Sequence, residues 1–255
     1  MKMASKNLAE RLTVITPDPL PMREHLFDDN TALATALAKS VAADLRGAIA
    51  RRGRARLAVS GGSTPRAFLV ELSKQTLDWS RVLVVPVDDR WVAPDHARSN
   101  ERLLRETLFQ GAAAQAQLLP LRRPTPTPEA ALLPVLTQVA HEALPLDVAV
   151  LGMGEDGHTA SLFPDLGTQC KGHREIGLQP SGRAPVLAVR SASAPEPRMT
   201  LTLSAIFTAP SLYLHIEGAK KREVLDGAAR DPRSTLPIRA MLAGAPVLPQ
   251  LYWSP

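Results

Sequence analysis

The chain has 255 residues, enough for a sizeable buried core, with 45% hydrophobic and 22% charged residues in an ordinary globular balance. Its net charge of +5 is spread along the chain, and the densest basic groups, Arg51-Arg52-Gly53-Arg54 and Lys220-Lys221-Arg222, are short and lack interleaved aromatics, which argues against a nucleic-acid partner. The lone Cys170 excludes an intramolecular disulfide, Lys39, Asp44 and Arg46 keep the Ala-rich stretch 31–50 from spanning a membrane, and no signal-like apolar run opens the chain, so a soluble cytoplasmic protein is expected.

In chain order, Leu12–Thr16 reads as a short β-like run. Asp28, Asp29 or Asn30 caps a long helix whose apolar face is Leu33, Leu37, Val41, Leu45 and Ile49. Arg56–Ser60 reads as a strand, and Pro65 opens a helix at its favoured first position. Val82–Val87 is a continuous apolar strand, and Asn100–Leu108 is helical. Pro120–Pro128 is a surface connection into a helix over Glu129–Glu142, which tolerates Pro134. Asp147–Leu151 is a third buried strand, and Thr168–Arg183 reads as a surface loop. Further strands are expected at Val186–Val189, Ser211–Ile216 and Val247–Trp253, with a helix over Ala219–Arg230.

No internal repeat or low-complexity linker divides the chain, so one domain over residues 1–255 is expected. Strands alternating with helices predict an α/β fold, a three-layer Rossmann-like arrangement with a mostly parallel, doubly wound sheet. Its ligand site belongs at the carboxyl ends of the strands. Three strand-end loops carry the chemistry.

The first loop is Ser60-Gly61-Gly62-Ser63-Thr64-Pro65. Its glycines let the backbone turn and approach a ligand, Ser63 or Thr64 can cap the next helix, and free N–H groups at a helix start attract anions. It lacks the Gly-Lys-Ser/Thr ending of a nucleotide-binding P-loop. The second, Asp88-Asp89-Arg90-Trp91, ends an apolar strand in three charges, and an Arg there suits a phosphate dianion.

The third loop, Gly152-Met153-Gly154-Glu155-Asp156-Gly157-His158-Thr159, matches G-x-G-x-x-G. However, Pro164 follows too soon for a long helix, which argues against a dinucleotide. The loop instead sets Asp156 beside His158, ahead of a helix-capping Thr159, and a His beside a carboxylate is a general base for neutral pH. His25, His96, His141, His173 and His215 have no comparable setting, and no metal-ligand spacing links them.

These blocks resemble the 6-phosphogluconolactonase family: Ser60–Pro65, Asp88–Arg90 with Ser99-Asn100, Gly152–Pro164, Pro197–Thr200 with Leu201–Leu203, and Gly218–Glu223, in family order. The resemblance implies a fold shared with glucosamine-6-phosphate deaminase and hydrolysis of 6-phospho-D-glucono-1,5-lactone in the pentose phosphate pathway, without a required cofactor or metal. By position, it makes His158 the base that activates water and Asp156 its orienting partner. It places Arg90, Arg198 and Lys220 around the phosphate, together with Ser60, Gly61, Gly62, Ser63 and Thr64. One departure stands: the family usually has Asp-Glu-Arg where this chain has Asp88-Asp89-Arg90.

The implied partner is a small sugar-phosphate lactone, with neither nucleic acid nor membrane; pathway logic leaves a functional link to glucose-6-phosphate dehydrogenase open. Two alternatives remain. A deaminase would carry a Phe-Asn-Glu-Pro-like stretch after the His, where this chain has Thr159–Pro164. A non-catalytic sugar-phosphate sensor would carry a DNA-reading segment, for which the residues before Leu12 leave no room.

Overall fold

Seven strands form a parallel sheet with helices on both faces, in a computed structural model that describes residues 18–255. The expected run Leu12–Thr16 lies outside the described residues. In chain order the elements are β1 (Arg23–Leu26), α1 (Asn30–Arg52), β2 (Ala55–Val59), α2 (Arg66–Ser73), β3 (Val82–Pro86), β4 (Asp88–Arg90), α3 (Asn100–Thr107) and β5 (Gln117–Leu118). There follow α4 (Pro128–Gln138), β6 (Val148–Leu151), α5 (His173–Leu178), β7 (Val186–Ser191), β8 (Ala194–Leu201), α6 (Leu203–Ile206), β9 (Ser211–Glu217), α7 (Ala219–Arg230), α8 (Pro237–Gly244) and β10 (Gln250–Ser254). Among the described residues no helix is long and apolar enough to cross a membrane.

Residues along each strand divide between two cores. On one face Leu57, Val59, Val84, Val148, Val150 and Tyr213 pack under α1, α2 and α3; on the other Ala58, Val85, Ala149, Leu151, Leu212 and Leu214 pack under α4, α6, α7 and α8. A strand covered on both sides has no solvent face, which is why these segments read as unbroken apolar runs. The predicted stripe of α1 is the buried one: Leu33, Leu37, Val41 and Leu45 have no exposed surface, and Ile49 packs at its edge. Asp29 caps this helix by accepting from Ala32 N–H, and Gly53 ends it in the left-handed region at φ 73°.

The sheet order is β1-β10-β9-β6-β2-β3-β5. From β2 the chain winds outward through β3 to β5, then crosses back to β6 and winds the other way through β9 and β10. The direction reverses between β2 and β6, and the loops leaving their carboxyl ends part there to form a crevice. The three-layer α/β reading therefore holds.

A second sheet differs from expectation. Beyond Pro86 the chain peels off the main sheet, and β4 pairs antiparallel with β8, which pairs antiparallel with β7. The strand expected at Val186–Val189 belongs here. Pro195 and Pro197 hide β8 in the sequence because proline gives no ladder donor; they are accommodated beside a register shift between Val189 and Ser191. Within the expected loop Thr168–Arg183 lies the short α5, whose Gly177 is buried against Leu162, Leu166 and Leu187. The helix expected over Glu129–Glu142 is α4 continued by one wider π-turn over Val139–Ala143.

Candidate active site

The crevice between the ends of β2 and β6 holds a cavity of about 200 Å³ lined by all three loops picked out in the sequence. The first loop is tied to the third: Ser60 N–H donates to Val150 O at 2.9 Å, and Gly152 N–H donates to Ser60 Oγ at 2.8 Å. Gly62 stands at φ +94°, where side chains are strained, and a Cβ on Gly61 would lie 2.0 Å from Asn100 Oδ1. Both glycines are thus required, one by backbone conformation and one by clearance. Neither Ser63 nor Thr64 caps α2 through its side chain; Thr64 Oγ1 instead accepts from Lys221 Nζ at 3.2 Å.

The second loop is β4, and its three charges have three separate fates. Asp89 turns inward and is 1% exposed. It accepts from the N–H groups of Arg90, Asn100 and Glu101 at 2.8, 2.7 and 3.0 Å, anchoring the first turn of α3. Burial pushes its carboxyl up to about 6, with the Asp88 charge adding to the rise and these N–H bonds opposing it. Asp88 lines the cavity, accepts from Ser161 Oγ at 2.5 Å and from Asn100 Nδ2 at 3.3 Å, and lies 3.5 Å from an Arg198 nitrogen. Arg90 is steered into the cavity by donating to Arg98 O at 3.0 Å and to Asn100 Oδ1 at 2.6 Å.

Across the ladder Arg198 is in register with Arg90 and stands 5.6 Å from the Phe163 ring centre. Burial and the Arg90 charge draw its pKa down from the ordinary guanidinium value, against the pull of Asp88 and Glu196, and an arginine remains charged under such a shift. Each of the two guanidiniums keeps a buried Nε without a hydrogen-bond partner among the described residues. The cavity is thus lined by two cationic side chains, an arrangement suited to an anion.

The third loop sets a carboxylate beside an imidazole. Gly154 N–H donates to His158 O at 2.9 Å, and Gly157 turns the chain at φ +77°. This brings His158 Nδ1 within 2.6 Å of Asp156 Oδ1. Burial opposes ionisation of Asp156, but the His158 hydrogen bonds and charge outweigh it and hold the carboxyl below the usual range. The ionised carboxylate accepts, so Nδ1 carries the hydrogen and Nε2 is the nitrogen left to take a proton. His158 lines the cavity, its ring 4.8 Å from Phe163; Asp156 sits behind it, outside the lining.

Thr159 caps no helix: its Oγ1 donates to Gly152 O at 2.9 Å, and it bridges to Leu162. With no helix after Gly157, the loop lacks the N-terminus that would receive a pyrophosphate, in line with the exclusion drawn from Pro164.

Of the residues predicted for the site, Ser60, Gly61, Gly62, Ser63, Thr64, Arg90, Arg198 and His158 line one cavity, with Asp156 directly behind. Lys220 does not join them. It lies on the surface, paired with Glu155, while the next residue, Lys221, lines the cavity. Also unforeseen as site residues are Asn100, which links Asp88, Arg90 and the first loop, and His215. The Ser99-Asn100 pair was visible as a helix start, whereas His215 is concealed inside the apolar run of β9. Among the described residues no group of three or more His, Cys, Asp or Glu side chains is arranged to hold a metal ion.

The geometry agrees with what the chain resembles. The model of the family Glucosamine-6-phosphate isomerases/6-phosphogluconolactonase matches residues 28–253. A 6-phosphogluconolactonase of Rhizobium meliloti is 48% identical over 232 residues, covering 91% of this chain and 98% of its own. One from Mesorhizobium japonicum is 45% identical over 230 residues, covering 90% and 94%. The crystal structure of a 6-phosphogluconolactonase from Shewanella baltica superposes with a TM-score of 0.87 at 37% identity, covering 93% of this chain and all of that one. By its sequence, its fold and the loops that meet at its cavity, the chain belongs to the glucosamine-6-phosphate isomerase/6-phosphogluconolactonase family.

Proposed function

We propose that this protein hydrolyses 6-phospho-D-glucono-1,5-lactone to 6-phospho-D-gluconate. The observation that carries the reading is the 2.6 Å Asp156–His158 pair at the rim of a cavity that also holds Arg90, Arg198 and Lys221. A δ-lactone is an activated ester, so attack by water needs one well-placed base and no covalent intermediate. His158 Nε2 takes a proton from water as the oxygen adds to C1. The ring C–O bond then breaks, and the departing ring oxygen receives the proton from the imidazolium. Asp156 holds the ring in the required tautomer and balances the transient charge. Arg90, Arg198, Lys221 and the Ser60–Thr64 loop bind the anionic end, so that remote binding energy fixes the reacting carbonyl.

This reading places the protein in the cytoplasm, downstream of glucose-6-phosphate dehydrogenase, whose product is the lactone. Lactone generated freshly in the cuvette tests it directly. Wild type accelerates its loss above the spontaneous rate, and His158→Ala, still folded, loses about 10²–10⁴-fold of that acceleration. No acceleration by wild type would overturn the function; equal rates in both proteins would remove His158 from its role.

A further inference from the structure

His215 is a group the mechanism above does not use. It lies on β9, is 2% exposed and lines the cavity. Its ring packs edge-on against Phe68, in the first turn of the helix that the Ser60–Pro65 loop opens. Its Nε2 lies 3.1 Å from Glu217 Oε1, and Glu217 is fixed in turn by Asn30 Nδ2, which donates to Oε2 at 3.0 Å. The other ring nitrogen, Nδ1, is buried without a partner among the described residues. A buried polar atom left unpaired is costly, and the ring that carries it borders the cavity.

We propose that His215 is a ligand of the substrate's phosphate, held from behind by Glu217. The assignment rests on the phosphorylated-lactone reading above and extends it to a residue of the binding end. Three features put the phosphate there: the start of α2 beside Phe68, Lys221 bonded to Thr64, and the turn at Gly62.

Glu217 accepts from Nε2–H, so the neutral ring offers a lone pair at Nδ1. A phosphate monoanion donates its P–O–H to that lone pair; a dianion accepts from Nδ1–H of the imidazolium. In both cases the complex holds one proton more than the neutral ring and the dianion held apart. The charged and titratable groups around the ring are Glu217 on its own strand, Lys221 on α7 and Tyr252 in register on β10, whose hydroxyl is engaged with Ser40. Asp88, Arg90, Arg198 and His158 share the cavity, and α2 presents the uncharged Phe68.

The test is calorimetric titration with inorganic phosphate at about pH 8.5, where free imidazole is neutral. Wild type, His215→Phe and Glu217→Gln are compared in two buffers of different ionisation enthalpy. His215→Phe is expected to bind about ten- to a hundredfold more weakly, the worth of a charge-assisted hydrogen bond, and to take up about one proton fewer. Glu217→Gln shifts both readouts the same way by less, and it decides the matter if His215→Phe does not fold. Affinity equal to wild type, or weaker binding with unchanged proton uptake, overturns the assignment. A wild type that neither binds phosphate nor accelerates lactone loss removes the parent reading; a wild type that does both, beside indistinguishable variants, removes His215 alone.

Discussion

Gly154→Ala tests whether the orientation of His158, rather than its presence, sets the rate. A Cβ built on Gly154 lies 2.2 Å from His158 Nδ1 and 2.6 Å from Asp156 Oδ1, and ordinary contact begins near 3.4 Å. The imidazole must therefore retreat by about 1 Å and leave its bond to Asp156, a misplacement on the scale that costs about a hundredfold in rate. That corresponds to about 2.7 kcal/mol of transition-state stabilisation. Stability should change little. Gly154 is outside the left-handed region, so alanine fits the backbone and contributes about 0.4–1 kcal/mol through the unfolded chain, roughly offsetting the strained rotamer. The assay is loss of fresh lactone above background, with thermal unfolding measured in parallel. A fall in kcat/KM of about two orders of magnitude at nearly constant Tm is expected. Unimpaired turnover in the alanine variant would refute the argument, because the crowded dyad would then not need its observed geometry.

Lys221→Ala should weaken 6-phosphogluconate binding by about ten- to a hundredfold, whereas Lys220→Ala, whose ammonium faces Glu155 on the surface, should stay within about twofold by calorimetry. The raised carboxyl of Asp89 makes a signed prediction for pH. Its folded value of about 6 lies above the ordinary 3.8, so its contribution is full below pH 3.8 and is lost as pH rises through 6. Denaturant titrations should show a loss of at most about 3 kcal/mol from this group over that window, and Asp89→Asn should flatten the slope even though it lowers stability throughout. Leu37→Ala, in the fully buried stripe of α1, should cost about 2–5 kcal/mol in urea unfolding. Saturating wild type with 6-phosphogluconate at a hundred times Kd should add about 2.7 kcal/mol, a gain that Arg90→Ala, binding about ten- to a hundredfold more weakly, should cut to about 0.4–1.4 kcal/mol at the same ligand concentration.

The main sheet was legible because its strands are covered on both faces. Val82–Pro86 and Val148–Leu151 have no polar face to confuse the pattern, and the buried stripe of α1 repeats every fourth residue. The second sheet was not legible. β4 has only three residues, all charged, and β8 carries two prolines, so neither has the alternation that marks a strand. The site was readable to the level of loops and failed at the level of direction. Adjacent residues on a helix point about 100° apart, so which of Lys220 and Lys221 meets the cavity depends on how Gly218, at φ +92°, launches α7. No composition or spacing encodes that angle. His215 was invisible for a related reason: between Leu214 and Ile216 it reads as an interruption of an apolar strand, and its tie to Glu217 and its place beneath α2 exist only after folding.

The second sheet also explains how the cavity keeps its charge. Register places Arg90 directly opposite Arg198, and like charges across a ladder repel. A single cavity carboxylate, Asp88, stands beside them, because Asp89 is diverted into the start of α3 and Glu196 pairs with Arg98 at the surface. Asn100 binds Asp88 through its amide nitrogen and Arg90 through its oxygen, so it fixes the arginine without neutralising it. Hydrogen bonding to a neutral amide and a backbone carbonyl orients Arg90, where a second carboxylate would have cancelled the field. Asp88 and Glu196 offset part of the repulsion felt by Arg198, and under the proposed function a bound phosphate adds to that relief. Under the proposed function, the arginine pair is what favours an anion over a neutral sugar at this cavity.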